Sequence, residues 1–225
     1  MNHHSVIYMW YFKPLERNSI PMDCIHKNKR YIPEYRIVTP RDIIPVLSSF
    51  DGLNELWNKI PEKYWVVRAD LGRLLYIYQN GGFYLDVDCV IQENPFQSIN
   101  PTNDRMILFT EYTVSVDALG PRECKNPRNA LRISNYAFAS NYKRHPFLHK
   151  CIRECMRRLT VLFDENVEKW AETDILWVCG PDVITTMYHA QFKDDGSQGD
   201  IDTSIRLMER GCLHHLGYGS WRDNK

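Results

Sequence analysis

Asp86 and Asp88 stand two residues apart at the end of the run Gly81-Gly82-Phe83-Tyr84-Leu85, a spacing suited to a divalent cation. Successive side chains of a strand point to opposite faces, so both carboxylates are expected on one side while Leu85 and Val87 turn into packing. Mg²⁺ or Mn²⁺ takes hard oxygen ligands. Held by one or two carboxylates, it keeps positions open for water or for the phosphates of a substrate. The chemistry implied is metal-assisted handling of a phosphate-bearing ligand.

These carboxylates need a helix and a sheet to hold them. Apolar side chains at Val67, Leu71, Leu74, Leu75 and Tyr78 recur at helical spacing, and Gly81-Gly82 is expected to end the helix and turn the chain into the strand. Asp70 and Arg73 lie three apart, so they are neighbours on that helix. If exposed, they form a surface salt bridge of little worth. Strands are predicted at 6–12, 35–38, 83–88, 106–110 and 136–140, with a further helix over 146–163. Alternating strands and helices imply a largely parallel α/β sheet, whose ligands bind beyond the carboxyl ends of the strands. The polar stretch 194–200 is expected to be a loop.

The block Arg68-Ala69-Asp70-Leu71-Gly72-Arg73, followed by apolar helix and Gly-Gly-Phe-Tyr-Leu-Asp86-Val87-Asp88, resembles the DXD block of sugar-nucleotide glycosyltransferases. Similar patterns occur in yeast outer-chain mannosyltransferases, in clostridial glucosylating toxins and in small glycosyltransferases of bacteria and large algal viruses. Glycogenin is more distantly similar. Residues 6–10, 135–140, 179–185 and 214–221 resemble further segments of the family in the same order.

The resemblance implies a single GT-A domain over 1–225. Its Rossmann-like mixed, mostly parallel sheet would be flanked by helices, with a nucleotide-binding part at about 1–110 and an acceptor part at about 111–225. It implies Mn²⁺ or Mg²⁺ on Asp86, Asp88 and His214, with His215 as the alternative ligand; neutral imidazole suits Mn²⁺ beside two carboxylates. Asp70 would hydrogen-bond donor hydroxyls and Arg73 would hold sugar or phosphates. Arg68, Tyr84 and Asp86 join them in the donor-binding set. Trp10 would stack on the uracil of a UDP-sugar, or else serve as a core aromatic. Ser220 and Trp221 offer hydroxyl and indole donors to the diphosphate. Asp182 is a candidate contact to the donor sugar, though an Asp opening a helix is equally explained by the helix dipole. Glu111 is a similar candidate at a strand end. The implied reaction moves a sugar from the nucleotide to a glycan or other hydroxyl acceptor with retention, and no nucleophile is assigned.

Two other readings stay open. Leu85-Asp86-Val87-Asp88-Cys89-Val90 also satisfies the opening of a haloacid-dehalogenase-type phosphatase, with Asp86 as nucleophile. That motif should open the first strand, whereas here a strand and a long helix precede it. An inactive nucleotide-sugar-binding module is the other, against which Asp70, Arg73, Asp86 and Asp88 all argue.

Composition narrows the partners. Twenty-eight basic and 28 acidic side chains balance to a formal charge of zero, so no global basic field invites nucleic acid. A content of 44% hydrophobic residues in a 225-residue chain can fill one substantial core. The seven cysteines, at 24, 89, 124, 151, 155, 179 and 212, form no Cys-x-x-Cys pair and read as reduced thiols of a cytoplasmic protein. Cys151 and Cys155 fall in the apolar stripe of the 146–163 helix, which favours packing over zinc. No apolar stretch approaches the length of a membrane span.

Overall fold

The computed structural model describes residues 5–10, 20, 22–100, 102–119, 122, 127–166, 169–192 and 202–217. Its main sheet has six strands in the order β2 (Tyr35–Val38), β1 (Val6–Met9), β3 (Gly82–Leu85), β6 (Leu131–Ser140), β5 (Met106–Thr113) and β7 (Ile205–Met208). β1 runs parallel to β2 and β3, β6 runs antiparallel to both β3 and β5, and β7 runs parallel to β5. Five strands therefore share one direction and β6 alone opposes them, as expected of a mixed, mostly parallel sheet.

Period-2 alternation divides the core into two layers. Ile7, Met9 and Tyr84 pack under the helices, whereas Val6, Tyr8, Phe83 and Leu85 pack on the opposite face of the sheet. With α1 (Met22–Asn28) on the opposite face, the helical layer includes α2 (Pro40–Leu47), α3 (Leu53–Lys59), α4 (Trp65–Asn80), α5 (Pro146–Asp164), α6 (Glu172–Val178) and α7 (Pro181–His189). α2 starts on a capping box in which Thr39 N–H donates to the Asp42 carboxylate at 2.9 Å, with Pro40 in its first turn. In α5, Cys151 and Cys155 lie fully buried in the apolar stripe, and burial holds the Cys151 thiol well above its ordinary range. Cys124 lies outside the described residues.

α4 fixes the site. It is longer than the predicted 67–78 helix and is enclosed nearly all round, burying every residue from Leu71 to Ile77. Asp70 and Arg73 are consequently buried, at 5% and 6% exposure, which excludes a surface salt bridge. Gly81 ends the helix with φ 71° and ψ −168°, a backbone region that glycine alone adopts without strain, while its N–H donates to Ile77 C=O at 2.7 Å. A Cβ at this position would stand 3.1 Å from the Ser140 carbonyl oxygen of β6, so the close approach also demands glycine.

Two predicted strands end early. β1 stops at Met9, and residues 11 and 12 lie outside the described set. β3 stops at Leu85 rather than Asp88. Asp86 N–H still donates to Tyr136 C=O at 2.8 Å, but Asp86 C=O then accepts from Cys89 N–H at 3.0 Å, closing a tight turn. After that turn β4 (Cys89–Ile91) pairs antiparallel with β8 (Leu213–His215) as a separate two-stranded ribbon. The 194–200 stretch lies outside the described residues.

Candidate functional site

The site gathers beyond the carboxyl end of β3. Asp86 leaves the strand on the same face as Tyr84, whose hydroxyl donates to Asp86 Oδ1. The Asp86–Cys89 turn, rather than strand alternation, brings Asp88 beside it. The β4–β8 ribbon supplies a third group: Cys89 pairs with His215, and Leu216 N–H donates to Asp88 C=O at 3.0 Å. His215 Nε2 thus lies 3.3 Å from Asp88 Oδ1 and 3.9 Å from Asp86 Oδ2. One ligand atom from each of Asp86, Asp88 and His215 falls within a 4.8 Å cluster. The imidazole is fixed from behind by stacking on Tyr136, with centroids 4.4 Å apart and planes at 16°.

The structure brings His215, not His214, to the carboxylates. In β8 the buried Leu213 and His215 share one face, so His214 points the other way and is exposed. That signal was present in the sequence, because an apolar residue two positions before a histidine marks the inward face.

Arg73 ties the helix to the cluster. Its Nη2 is 2.8 Å from Asp70 Oδ1, and its Nη1 is 3.1 Å from Asp86 Oδ1. Nη1 also donates to Asn135 C=O at 2.9 Å, and the guanidinium lies 4.8 Å over the Tyr84 ring. Asn135 Nδ2 donates to Asp70 Oδ1 at 3.1 Å. Sequence reasoning did not single out Asn135; its hint is a polar amide inside the apolar strand β6, where Asn is normally depleted.

Burial sets the electrostatics. It pushes Asp70 up to about 7, against the pull of Arg73, with Asp86 adding to the rise. Asp86 is likewise raised by burial, with Arg73 opposing and Asp88 adding. Burial alone would lower His215, but its hydrogen bond to Asp88 and the charge of Asp86 hold it above its ordinary value. Two carboxylates and an imidazole that attract positive charge this strongly fit a hard divalent ion. Asp86 Oδ1 is already engaged by Tyr84 and Arg73, an arrangement that orients a ligand and does not free a nucleophile.

The remaining predicted residues fall as follows. Arg68 turns away from Asp70, since positions two apart on a helix differ by about 200°. Its guanidinium donates to Ile60 C=O at 2.5 Å and lies 6.0 Å from the Trp57 ring. Tyr84 is buried beneath Arg73 and meets the cluster through Asp86. Trp10, just beyond β1, is 7% exposed and packs in the layer opposite the helices. Asp182, in the first turn of α7, is buried in an ion pair with Arg132 of β6. Glu111 of β5 is raised by burial, against the pull of Arg132 and His215. Ser220 and Trp221 lie outside the described residues.

Residues 20–106 match the family model described as a glycosyltransferase sugar-binding region containing a DXD motif. That interval holds Asp70, Arg73, Asp86 and Asp88, and it ends before Asn135, Asp182 and His215. No curated protein matches the chain. Among solved structures, the chain is similar to one titled "PaToxG Glycosyltransferase", with 16% identity and a TM-score of 0.53 over 83% of this chain and 68% of that one. At that identity the likeness speaks for the fold. A structure whose title names a mutant transferase is similar at 9% identity and a TM-score of 0.38, over 78% of this chain and 90% of that one.

Proposed function

We propose, from the premise that the DXD-region match and the fold support a glycosyltransferase of the GT-A type, that the chain transfers a sugar from a UDP-sugar to a hydroxyl acceptor in a metal-dependent reaction. The observation that carries this reading is the convergence of Asp86, Asp88 and His215 within 4.8 Å beside the Asp70–Arg73 pair. Those three residues would hold Mn²⁺ or Mg²⁺. The ion supplies charge stabilisation to a departing diphosphate.

The chain's own residues do the rest. Arg73, locked between Asp70 and Asp86, presents a fixed guanidinium edge to sugar or phosphate oxygens. Asp70 accepts from donor hydroxyls, and Asn135 holds its carboxylate in place. Tyr84 fixes Asp86, and Tyr136 fixes His215, so both ligands keep their orientation when the donor leaves. Residues 1–110 form the nucleotide part, with Trp10 at the carboxyl end of β1 near the base, and residues 111–225 form the acceptor part. Retention accords with the resemblance of the Arg68 to Asp88 block to retaining enzymes. Cys151 and Cys155, buried as thiols in α5, accord with a cytoplasmic setting, and among the described residues no helix is long and apolar enough to cross a membrane.

The test is donor turnover. With Mn²⁺, a panel of UDP- and GDP-sugars should yield free nucleotide for at least one donor, EDTA should abolish it, and Asp86→Asn should lower it at least 100-fold. Hydrolysis of phosphate monoesters with Mg²⁺, in the absence of any donor turnover, would favour the phosphatase reading instead.

A further inference from the structure

A cavity of about 170 Å³ is lined among others by Tyr112, Thr173, Trp177, Arg132 and Asp182. Every lining residue lies outside the 20–106 interval of the family match. Its place relative to the metal cluster follows from β6 and β5. Arg132 lies three residues before Asn135 on β6, roughly 10 Å along the strand from the Asp70–Arg73 pair. On β5, Thr110 pairs with Ile133 of β6, which brings Tyr112 to the same end of β6 as Arg132.

Resting on the proposed donor site, we infer that this cavity is the acceptor subsite and that it takes one uncharged, hydroxyl-rich ring, a hexose unit of a glycan. The volume falls below the ~300 Å³ of pockets for larger ligands. That is room for one ring. The charges exclude an anion. Arg132 is paired with Asp182, and Arg122 at the rim is paired with Asp174 at 2.7 Å and with Glu165, so three carboxylates offset two guanidinium groups. Such paired, fixed polar groups present donors and acceptors side by side, as vicinal hydroxyls require.

The walls complete the match. Tyr112, 49% exposed, offers an aromatic surface at the mouth for the C–H face of a pyranose. Trp177, in the cavity wall, is held by Arg122 and Arg158, 4.9 and 5.1 Å from its ring. On this account Asp182 serves the acceptor rather than the donor, because its carboxylate is committed to Arg132 at the cavity wall.

The experiment uses saturation-transfer NMR on the full chain with methyl glucoside, galactoside, mannoside and N-acetylglucosaminide of both anomeric forms. Thr173→Trp fills the cavity from an exposed rim position, and Tyr112→Ala removes the platform; both sites are exposed, so folding is preserved, with the thermal midpoint as control. At least one glycoside should bind the wild type, lose its signal in Thr173→Trp and weaken at least fivefold in Tyr112→Ala. Binding that survives Thr173→Trp would overturn the assignment. So would binding of no glycoside, or of hexose phosphates alone. A failure of UDP with Mn²⁺ to raise the thermal midpoint would strike the donor reading separately, since glycoside binding is read without nucleotide.

Discussion

Arg73 Nη1 lies 3.1 Å from Asp86 Oδ1 while Nη2 of the same guanidinium lies 2.8 Å from Asp70 Oδ1, so one buried cation joins helix α4 to the carboxylate that ends β3. The Asp70 and Asp86 halves of the site therefore share one residue.

Removing that cation leaves buried carboxylates without compensation. Arg73→Met should cost about 3–5 kcal/mol, the usual cost of breaking a buried pair. For a chain of this size that lowers the thermal midpoint by about 6–20 °C. Adding Asp70→Asn should recover part of the loss, because one carboxylate charge is then gone. A calorimetric scan of the three variants reads both effects, and equal midpoints for wild type and Arg73→Met would count against the bridge.

The two adjacent histidines should separate cleanly. Alternation along β8 sends His215 to Asp86 and Asp88 and His214 to solvent. His215→Ala should weaken Mn²⁺ binding by about 10-fold or more, in line with the loss of a group that fixes a metal site, whereas His214→Ala should leave it within about twofold. Electron paramagnetic resonance of free Mn²⁺ measures both, and the reverse order would overturn the placement.

Proton and metal should compete. His215 is held above its ordinary value of 6.5 although burial opposes this, because Asp88 and Asp86 favour the imidazolium. The metal needs the neutral ring and ionised carboxylates. Mn²⁺ affinity should therefore be highest above the raised His215 value and fall about tenfold per pH unit below it for each proton displaced. Asp86, itself raised by burial, steepens the fall at lower pH. Calorimetric titration across neutral pH checks the slope, and a flat profile would exclude His215 as a ligand.

Local signals carried much of this arrangement. Gly81-Gly82 marked the end of α4 because a close strand and a positive φ leave no room for a side chain. Asp70 and Arg73 were legible as neighbours because helical spacing puts them there. Their burial was not, since it depends on α4 being enclosed by the sheet and by helices from distant sequence. The Asp86–Cys89 turn was hidden for a similar reason: an Asp-x-Asp pair reads as strand until a carbonyl finds a donor three residues on. His215 and Asn135 join the site only through the pairing of β8 with β4 and of β6 with β3, contacts separated by more than fifty residues. That Arg68 points away from Asp70, two positions on, follows from helix geometry alone once the helix is accepted.

The most direct measurement is the thermal midpoint of the wild type and of Asp88→Ala with UDP, with Mn²⁺ and with both together. At ligand near 100 times its dissociation constant, binding adds roughly 2.7 kcal/mol, or about 5–11 °C for a chain of this size. The account predicts that UDP and Mn²⁺ together stabilise the wild type well beyond either alone and that Asp88→Ala loses the joint effect. No shift in the wild type with both ligands, or an equal shift in Asp88→Ala, would contradict it.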